Sequence, residues 1–452
     1  MKKINFIPLV FILLFSLSIQ AQTKKWTLEE CVKYALDNNI SIKQTELDTK
    51  TADIDKKGAI GNFIPSLNSN ASHSWNVGLN QDPTTGLLRN QTTQYSSMGV
   101  GVGFDIYKGM QNQNTLRKAN LSIIAAKYQL TKMQEDVALN VANAFLQVLF
   151  NKENLKVQNE QKANNEKQLS RSEELVKAGS VPKGDLLDIK ATVASDGQKV
   201  VAAENALLIS KLSLAQLLQL KEFYDFDVTD DTSVKDENNI LSQTPLAIYD
   251  KAKEQRTELK IAKTNLEIAE KNVAIAKGGY QPTLQGFYNI NTRISYADSY
   301  DFQTGLSSPA PSFGQQFTDN RGQAFGAQLN IPIFNGWSAR NNVERSKVNL
   351  EKSKIAVEQE DLTLQRNVYT AFTDAKGGLN AYESALSALE ARQEAFNYAK
   401  EKYAVGMMNS FDFNQSQTLF SAAQSEVLRT KYDYIFKIKI LEFYFGIPII
   451  KN

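Results

Sequence analysis

The sequence predicts an α+β membrane protein built twice from one plan of helix, strand pair and long helical hairpin. Three observations carry that expectation. First, a helical pattern runs from about Gln111 to Ala178, reverses at Gly179-Ser-Val-Pro-Lys-Gly and returns through about Leu220. At roughly 1.5 Å per residue such an arm is on the order of 100 Å long, far beyond the three or four turns of an ordinary helix. Second, the stretch recurs. Adding 227 (336 − 109) carries Gly109 onto Gly336, Asn140-Val141 onto Asn367-Val368, Ala144-Phe145 onto Ala371-Phe372, Gly179 onto Gly406 and Asp185 onto Asp412. Third, ahead of each hairpin the hydrophobic period changes from helical to two, giving four strands each long enough to cross a bilayer when tilted.

Composition bounds the chemistry. With 42% hydrophobic residues and a mean hydropathy of −0.36, the 452-residue chain is not a conventional polytopic helical membrane protein. A net charge of +2 gives no reason to expect nucleic acid. There is one cysteine, Cys31, and one histidine, His73, which excludes an internal disulfide and leaves almost no material for zinc, haem or Cys/His nucleophilic sites. No catalytic constellation, nucleotide motif, metal site or cofactor is expected, and Cys31, beside Val32 and Ala35, reads as a packed residue.

Residues 1–21 read as a secretory signal peptide: Met1-Lys-Lys, an apolar run from Ile4 to Ile19, then Gln20-Ala21. After residue 21 no apolar run of about 18 residues is evident, so an exported chain that belongs in a membrane would enter it as strands. The first structural repeat is expected over 22–243 and the second over 244–452. Thr27 to about Lys57 is helical, with Thr27-Leu-Glu-Glu as its capped start and Gly61-Asn-Phe-Ile-Pro65 as its end. An offset of 217 (244 − 27) carries Thr27, Ala35, Ala52, Gly61, Pro65 and Leu67 onto Thr244, Ala252, Ala269, Gly278, Pro282 and Leu284. Ten extra residues (227 − 217) therefore lie in the second copy's strand-pair loop.

The strands are expected at about 66–79, 95–107, 283–296 and 323–334. In the first, Leu67, Ala71, Trp75, Val77 and Leu79 alternate with Asn and Ser; in the second, Met98, Val100, Val102, Phe104 and Ile106 alternate with Gly, Ser and Asp105. Leu284, Tyr288, Ile290 and Ile294, and then Phe325, Ala327 and Leu329, repeat the pattern. Alternation alone fits a β-sandwich with one wet face equally well. Polar faces made of Gly, Ser and Asn favour a barrel with its apolar face toward lipid, and four strands cannot close one alone, so the chain must then oligomerise. The connections from about Asn80 to Thr93 and from Ala297 to Arg321 read as exposed loops.

The hairpins, about 110–220 and 337–445, carry apolar residues every seventh position: Leu116, Ile123, Leu130, Val137 outward and Leu186, Val193, Val200, Leu207, Leu214 on return. The second copy returns with Phe413, Phe420, Val427, Tyr434 and Leu441. Its outgoing arm has two such rows, Val343, Leu350, Val357, Leu364 and Val348, Ile355, Leu362, Tyr369, as a helix in a cylinder wall needs. Helices alone would also suit a solid coiled-coil rod, and a secreted coiled-coil structural or adhesive protein is the rival from another class. A soluble periplasmic adaptor lacks two strand pairs.

Taken together the residues resemble the TolC-type outer-membrane efflux proteins of Gram-negative bacteria. The resemblance covers the whole chain after residue 21: the duplicated order, Gly61-Asn-Phe-Ile-Pro65 and Gly279-Tyr-Gln-Pro282 before each first strand, Ile331-Pro-Ile-Phe-Asn-Gly336 entering a long helix, and Tyr403-Ala-Val-Gly406 followed by Asp412. It implies a homotrimer whose twelve strands form one outer-membrane barrel continued by a coiled-coil α-barrel across the periplasm. It implies as partners outer-membrane lipid, a periplasmic adaptor and an inner-membrane pump of RND, ABC or MFS type. The chain would be the passive exit duct for small molecules of a tripartite efflux or type I secretion system.

The resemblance also implies that the hairpin tips close the periplasmic end. Asp185, Asp188, Tyr403 and Asp412 are the gate candidates by position, and Gly179, Val181, Gly406, Met407 and Met408 are candidates for tip turns and adaptor contact. The pattern departs from the family at Met408, where a relative has a latching arginine, and at Gln415, where it has a second aspartate. Symmetric carboxylates would repel anions and attract cations. Asp185 and Asp412 equally suit helix capping at the start of the returning arms.

Overall fold

The computed structural model describes residues 25–81, 86–221, 226–229, 239–300 and 303–449. The expected signal peptide, 1–21, lies outside them. The chain divides into two compact units, one drawn from residues 1–46, 129–259 and 360–452, the other from 47–128 and 260–359.

In the first unit, β1 (Lys25–Trp26) pairs in parallel with β4 (Asp227–Val228). Helix α1 (Leu28–Asn38) starts on a complete capping box: Thr27 Oγ1 accepts from Glu30 N–H, and Glu30 accepts from Thr27 N–H. The helical stretch expected over 27–57 is not continuous. Asn39, with ψ 130°, separates α1 from α2 (Ile40–Gly61), and its side chain donates to the Leu217 carbonyl. Arg256 takes the matching place between α5 (Pro245–Gln255) and α6 (Thr257–Gly278). It is almost fully buried, donates to Glu135 at 2.9 Å and Glu258 at 3.1 Å, and lies 3.8 Å over the Phe443 ring.

The long arms are α3 (Gln111–Lys177) and α4 (Lys183–Leu218), then α8 (Ser338–Ala404) and α9 (Ser410–Tyr444). The core of this unit joins Cys31, Val32 and Ala35 of α1 to Val141, Phe145 and Val148 of α3, Leu214 and Leu218 of α4, and Tyr432 and Ile435 of α9. Beside it Asp227 sits between Lys211 at 2.9 Å and Lys152 at 3.4 Å. Burial pushes its carboxyl up, but the two lysines outweigh that and hold it below the ordinary range. Contrary to the expectation that no membrane-length apolar stretch follows residue 21, α4 holds an 18-residue window of mean hydropathy 1.3. Glu204 and Lys211 interrupt its sequence, which is why it does not read as a continuous run. Val200, Ala203, Leu214 and Leu218 of this helix are packed inside the unit.

In the second unit, β2 (Ser66–Gln81), β3 (Leu88–Lys108), β5 (Thr283–Ser295) and β8 (Gly322–Asn330) form one antiparallel sheet in that order. The expected first loop is shorter than read, because β3 begins at Leu88 rather than near 95. Its opening residues, Arg-Asn-Gln-Thr-Thr-Gln, carry no apolar alternation, and cross-strand pairing with β2 alone extends the strand. The fourth strand stops at Asn330 rather than 334, since Pro332 has no N–H to give a ladder. The second loop is not featureless. It holds a two-residue pair, β6 (Ser299–Tyr300) with β7 (Ser307–Ser308), and a short helix α7 (Phe313–Asp319), capped by Ser312 Oγ accepting from Gln315 N–H.

Candidate functional site at the sheet wall and the hairpin tips

The pleat sorts the sheet residues onto two faces. Leu67, Val102, Tyr288 and Phe325 lie opposite one another in one cross-strand row. Among the described residues nothing covers much of this face: Val77 is 81% and Phe325 82% exposed. A sandwich would bury these side chains; here about twenty-five calories per mole are forgone for each Å² of apolar surface left to water. The centre of the opposite face is made of small and neutral groups, with rows Asn68, Gly101, Asn289, Ala324 and Asn70, Gly99, Asn291, Gly322, and Phe287, Arg293 and Asp105 lie to either side of them on the same face. The amides lie over the glycines. A Cβ on Gly99, Gly101 or Gly322 would come within 2.9, 2.6 or 2.8 Å of the side-chain oxygens of Asn70, Asn289 and Asn291. Small residues on one face allow the sheet to curl toward it, and a hollow of about 780 Å³ lies there. The two edges are β2, sixteen residues long, and β8, nine residues long, and among the described residues neither has a second strand beside it.

The tips belong to the first unit. At the first, Ser180 N–H donates to Leu175 O and Gly179 N–H to Val176 O, with Gly179 at φ +71°. At the second, Met407 N–H donates to Lys402 O and Gly406 N–H to Tyr403 O, with Gly406 at φ +76°. Both are Schellman endings, in which the left-handed residue lets the chain double back while the last carbonyls stay bonded. Asp185 and Asp412 each stand in the first turn of the returning helix. Asp412 is held in a cap: its N–H donates to Asn409 Oδ1 at 2.8 Å, and Asn409 Nδ2 donates to its carboxylate at 2.9 Å. The Asp188 carbonyl accepts from Thr192 Oγ1, an ordinary helical back-bond. Tyr403 stacks on Phe413 with centroids 4.6 Å apart.

Among the described residues no hydrogen bond joins Asp185 or Asp188 to Tyr403 or Asp412. What the second tip does gather is aromatic. Phe413 also meets Phe396 at 5.8 Å, and Phe396 stacks on Phe420 at 5.2 Å. The signal was present in the spacing, since Phe396 and Tyr403 are seven apart on one arm, facing Phe413 and Phe420 on the other. Met407 is exposed and Met408 and Val181 half-buried, while Val405, Phe411 and Leu187 are large exposed side chains at the tips that the sequence reading passed over. A heptad scan finds buried rows, and these lie off them.

Along α8 the two expected rows behave differently. Val343 and Leu364 are buried, whereas Val348, Ile355, Leu362 and Tyr369 are 56%, 64%, 55% and 41% exposed. One row is packed inside the chain, and the other is left uncovered by the described residues.

Comparison with known proteins agrees with this architecture. The chain is 23% identical over 385 residues to the outer membrane protein TolC of Vibrio cholerae, covering 83% of this chain and 80% of the relative. Over 142 residues it is 27% identical to the probable efflux pump outer membrane protein TtgC of Pseudomonas putida, covering 29% and 28% of the two chains. A solved membrane protein from Pseudomonas aeruginosa superposes with a TM-score of 0.78 at 17% identity, covering 93% of this chain and 92% of the other. Residues 31–219 and 248–439 match the family model described as outer membrane efflux protein. The chain belongs to the outer membrane efflux protein family.

Proposed function

We propose that this chain is the outer-membrane channel of an export system, a passive exit duct for small molecules in which three copies share one twelve-stranded barrel. The observation that carries this reading is the sheet: four strands with an uncovered apolar face, a hollowed Asn/Gly face and two unpaired edges. In water each of those features is a liability; in a closed barrel the edges pair, the apolar face meets lipid and the amides line the water-filled lumen. The exposed row Val348, Ile355, Leu362 and Tyr369 on α8 supports a neighbouring copy along the helices, since a heptad row wants a facing helix. The helices then continue the duct as a coiled-coil α-barrel.

Asp185, Asp188, Tyr403 and Asp412 are proposed as the gate region at the tips, with Gly179, Val181, Gly406, Met407 and Met408, and now Val405, Phe411 and Leu187, as turn and docking surface for a periplasmic adaptor. An inner-membrane pump supplies the energy. The secreted coiled-coil alternative leaves the apolar sheet face and the family membership without a reason.

The test is the conductance of purified, detergent-extracted protein in a planar bilayer, with its native mass measured in the same preparation. Discrete conductance steps and a trimeric mass are expected. A monomer that stays soluble without detergent and gives no conductance would overturn the barrel.

A further inference from the structure

Where β8 stops, α7 takes its place against β5. The ladder between β5 and β8 ends at Asn291 with Gly322. Beyond it, Gln316 Nε2 donates to the Ser295 carbonyl and Gln316 Oε1 accepts from Ser295 N–H, both at 2.9 Å, and Asn320 Nδ2 donates to the Arg293 carbonyl at 2.7 Å. These are the backbone groups that a longer β8 would have bonded. Thr292 Oγ1 donates to the Phe317 carbonyl, and Thr292 and Ile294 are buried beneath the helix. The remaining side of α7 shows Phe313 and Phe317, stacked on each other and exposed.

The other edge of the sheet has the matching surplus. Strand β2 starts just after Pro65 and β8 ends just before Pro332, so both meet the helical part of the chain at the same end. Sixteen residues against nine then leave the far half of β2 without a β8 residue opposite it. That half presents Trp75, Val77 and Leu79, all exposed, on the apolar face. The strand is also irregular there: Gly78 has φ +128°, and Asn80 Nδ2 donates to the Asn76 and Gly78 carbonyls.

We propose that α7 is the upper seam of the assembly: its Phe313 and Phe317 pack on Trp75, Val77 and Leu79 of a second copy, above the level where β8 pairs with that copy's β2. This inference rests on the shared-barrel reading. The ten residues by which the second strand-pair loop exceeds the first have made a side-chain contact where the ladder runs out. The two surfaces suit side-chain packing, because the β5 backbone groups at that level are already taken by Gln316 and Asn320 and the facing part of β2 is irregular at Gly78.

Cross-linking full-length, detergent-extracted protein with a flexible bismaleimide tests it. Val77→Cys combined with Phe317→Cys should give covalent dimers and trimers on denaturing gels, while each single variant stays monomeric; the natural Cys31 is fully buried. A second pair, Leu67→Cys with Leu329→Cys, reports the lower seam, where strands pair. Lower-seam links and a trimeric native mass without upper-seam links would overturn the role of α7 and leave the barrel standing. A monomeric mass with neither link would overturn the barrel and this contact with it. In a third variant, Gln316→Ala with Asn320→Ala should reduce the upper link several-fold and leave the lower one unchanged; equal loss of both would mean that α7 only stabilises its own sheet.

Discussion

Gly406 and Asp412 show how much of the second tip is dictated by single residues. A side chain at Gly406 would meet nothing within 4 Å, so space is not the constraint; φ +76° is. A β-branched residue there should cost about 1–2 kcal/mol. Gly406→Val is therefore expected to speed hydrogen exchange of the amides around 400–412 and to lower trimer yield, and unchanged exchange would remove the constraint. Asn409 is the cap of this helix, and the Asp412 carboxylate steadies it by accepting from Asn409 Nδ2, whatever else Asp412 does. Replacing Asp185 and Asp412 together by Ala should raise single-channel conductance or reduce cation preference; identical conductance and selectivity would leave the capping role alone. Asp227 gives a pH signature. Its folded carboxyl ionises more readily than a free one, so its contribution is fully present above the ordinary value of 3.8 and is lost as pH falls below it. Asp227→Asn should cost roughly 1–2 kcal/mol at neutral pH in denaturant melts, and the difference from the parent should shrink on acidification.

The elements follow from periodicity wherever periodicity is strong. The four long helical arms, the polar and apolar faces of the sheet and the Schellman turns at Gly179 and Gly406 were legible because each depends on local spacing or on one residue type. The break at Asn39 was not, because its cause is distant: the side chain bonds the Leu217 carbonyl in another helix. Nor was α7, whose seven residues are held mainly by Gln316 and Asn320 reaching the backbone of β5. The tips were found by position, yet what Tyr403 does there, stacking on Phe413, needed the facing arm. Hairpin two carries Phe396, Tyr403, Phe413 and Phe420 where the first has Leu169, Val176, Leu186 and Val193 at the matching places. Aromatic pairs add about 0.5–1.5 kcal/mol each beyond burial, so Phe413→Leu, which loses the stacked pair with Tyr403 and the tilted pair with Phe396, should destabilise the second tip by about 1–3 kcal/mol. Hydrogen exchange read separately on the two tips checks this; the first tip should not respond.

At the scale of the whole molecule, the proposed channel needs more than one copy. On that reading the exposed row on α8 and the two sheet edges are each covered by another copy of the chain. Ile355→Glu with Leu362→Glu should leave the helical content of the monomer intact by circular dichroism and abolish the trimeric mass, since two charges would then face an apolar row. Retained trimers would mean that this row faces something else. The Asn and Gly face has a further consequence for transport. Across its two central rows a passing solute meets neutral amides and bare backbone, and the charges beside them, Arg293 held over the Tyr95 ring and Asp105 paired with Lys108, already have partners. Such a wall makes shallow binding wells, so in the proposed channel flux through the strand section rises in proportion to solute concentration without saturating, and any choice among solutes is made before they reach it.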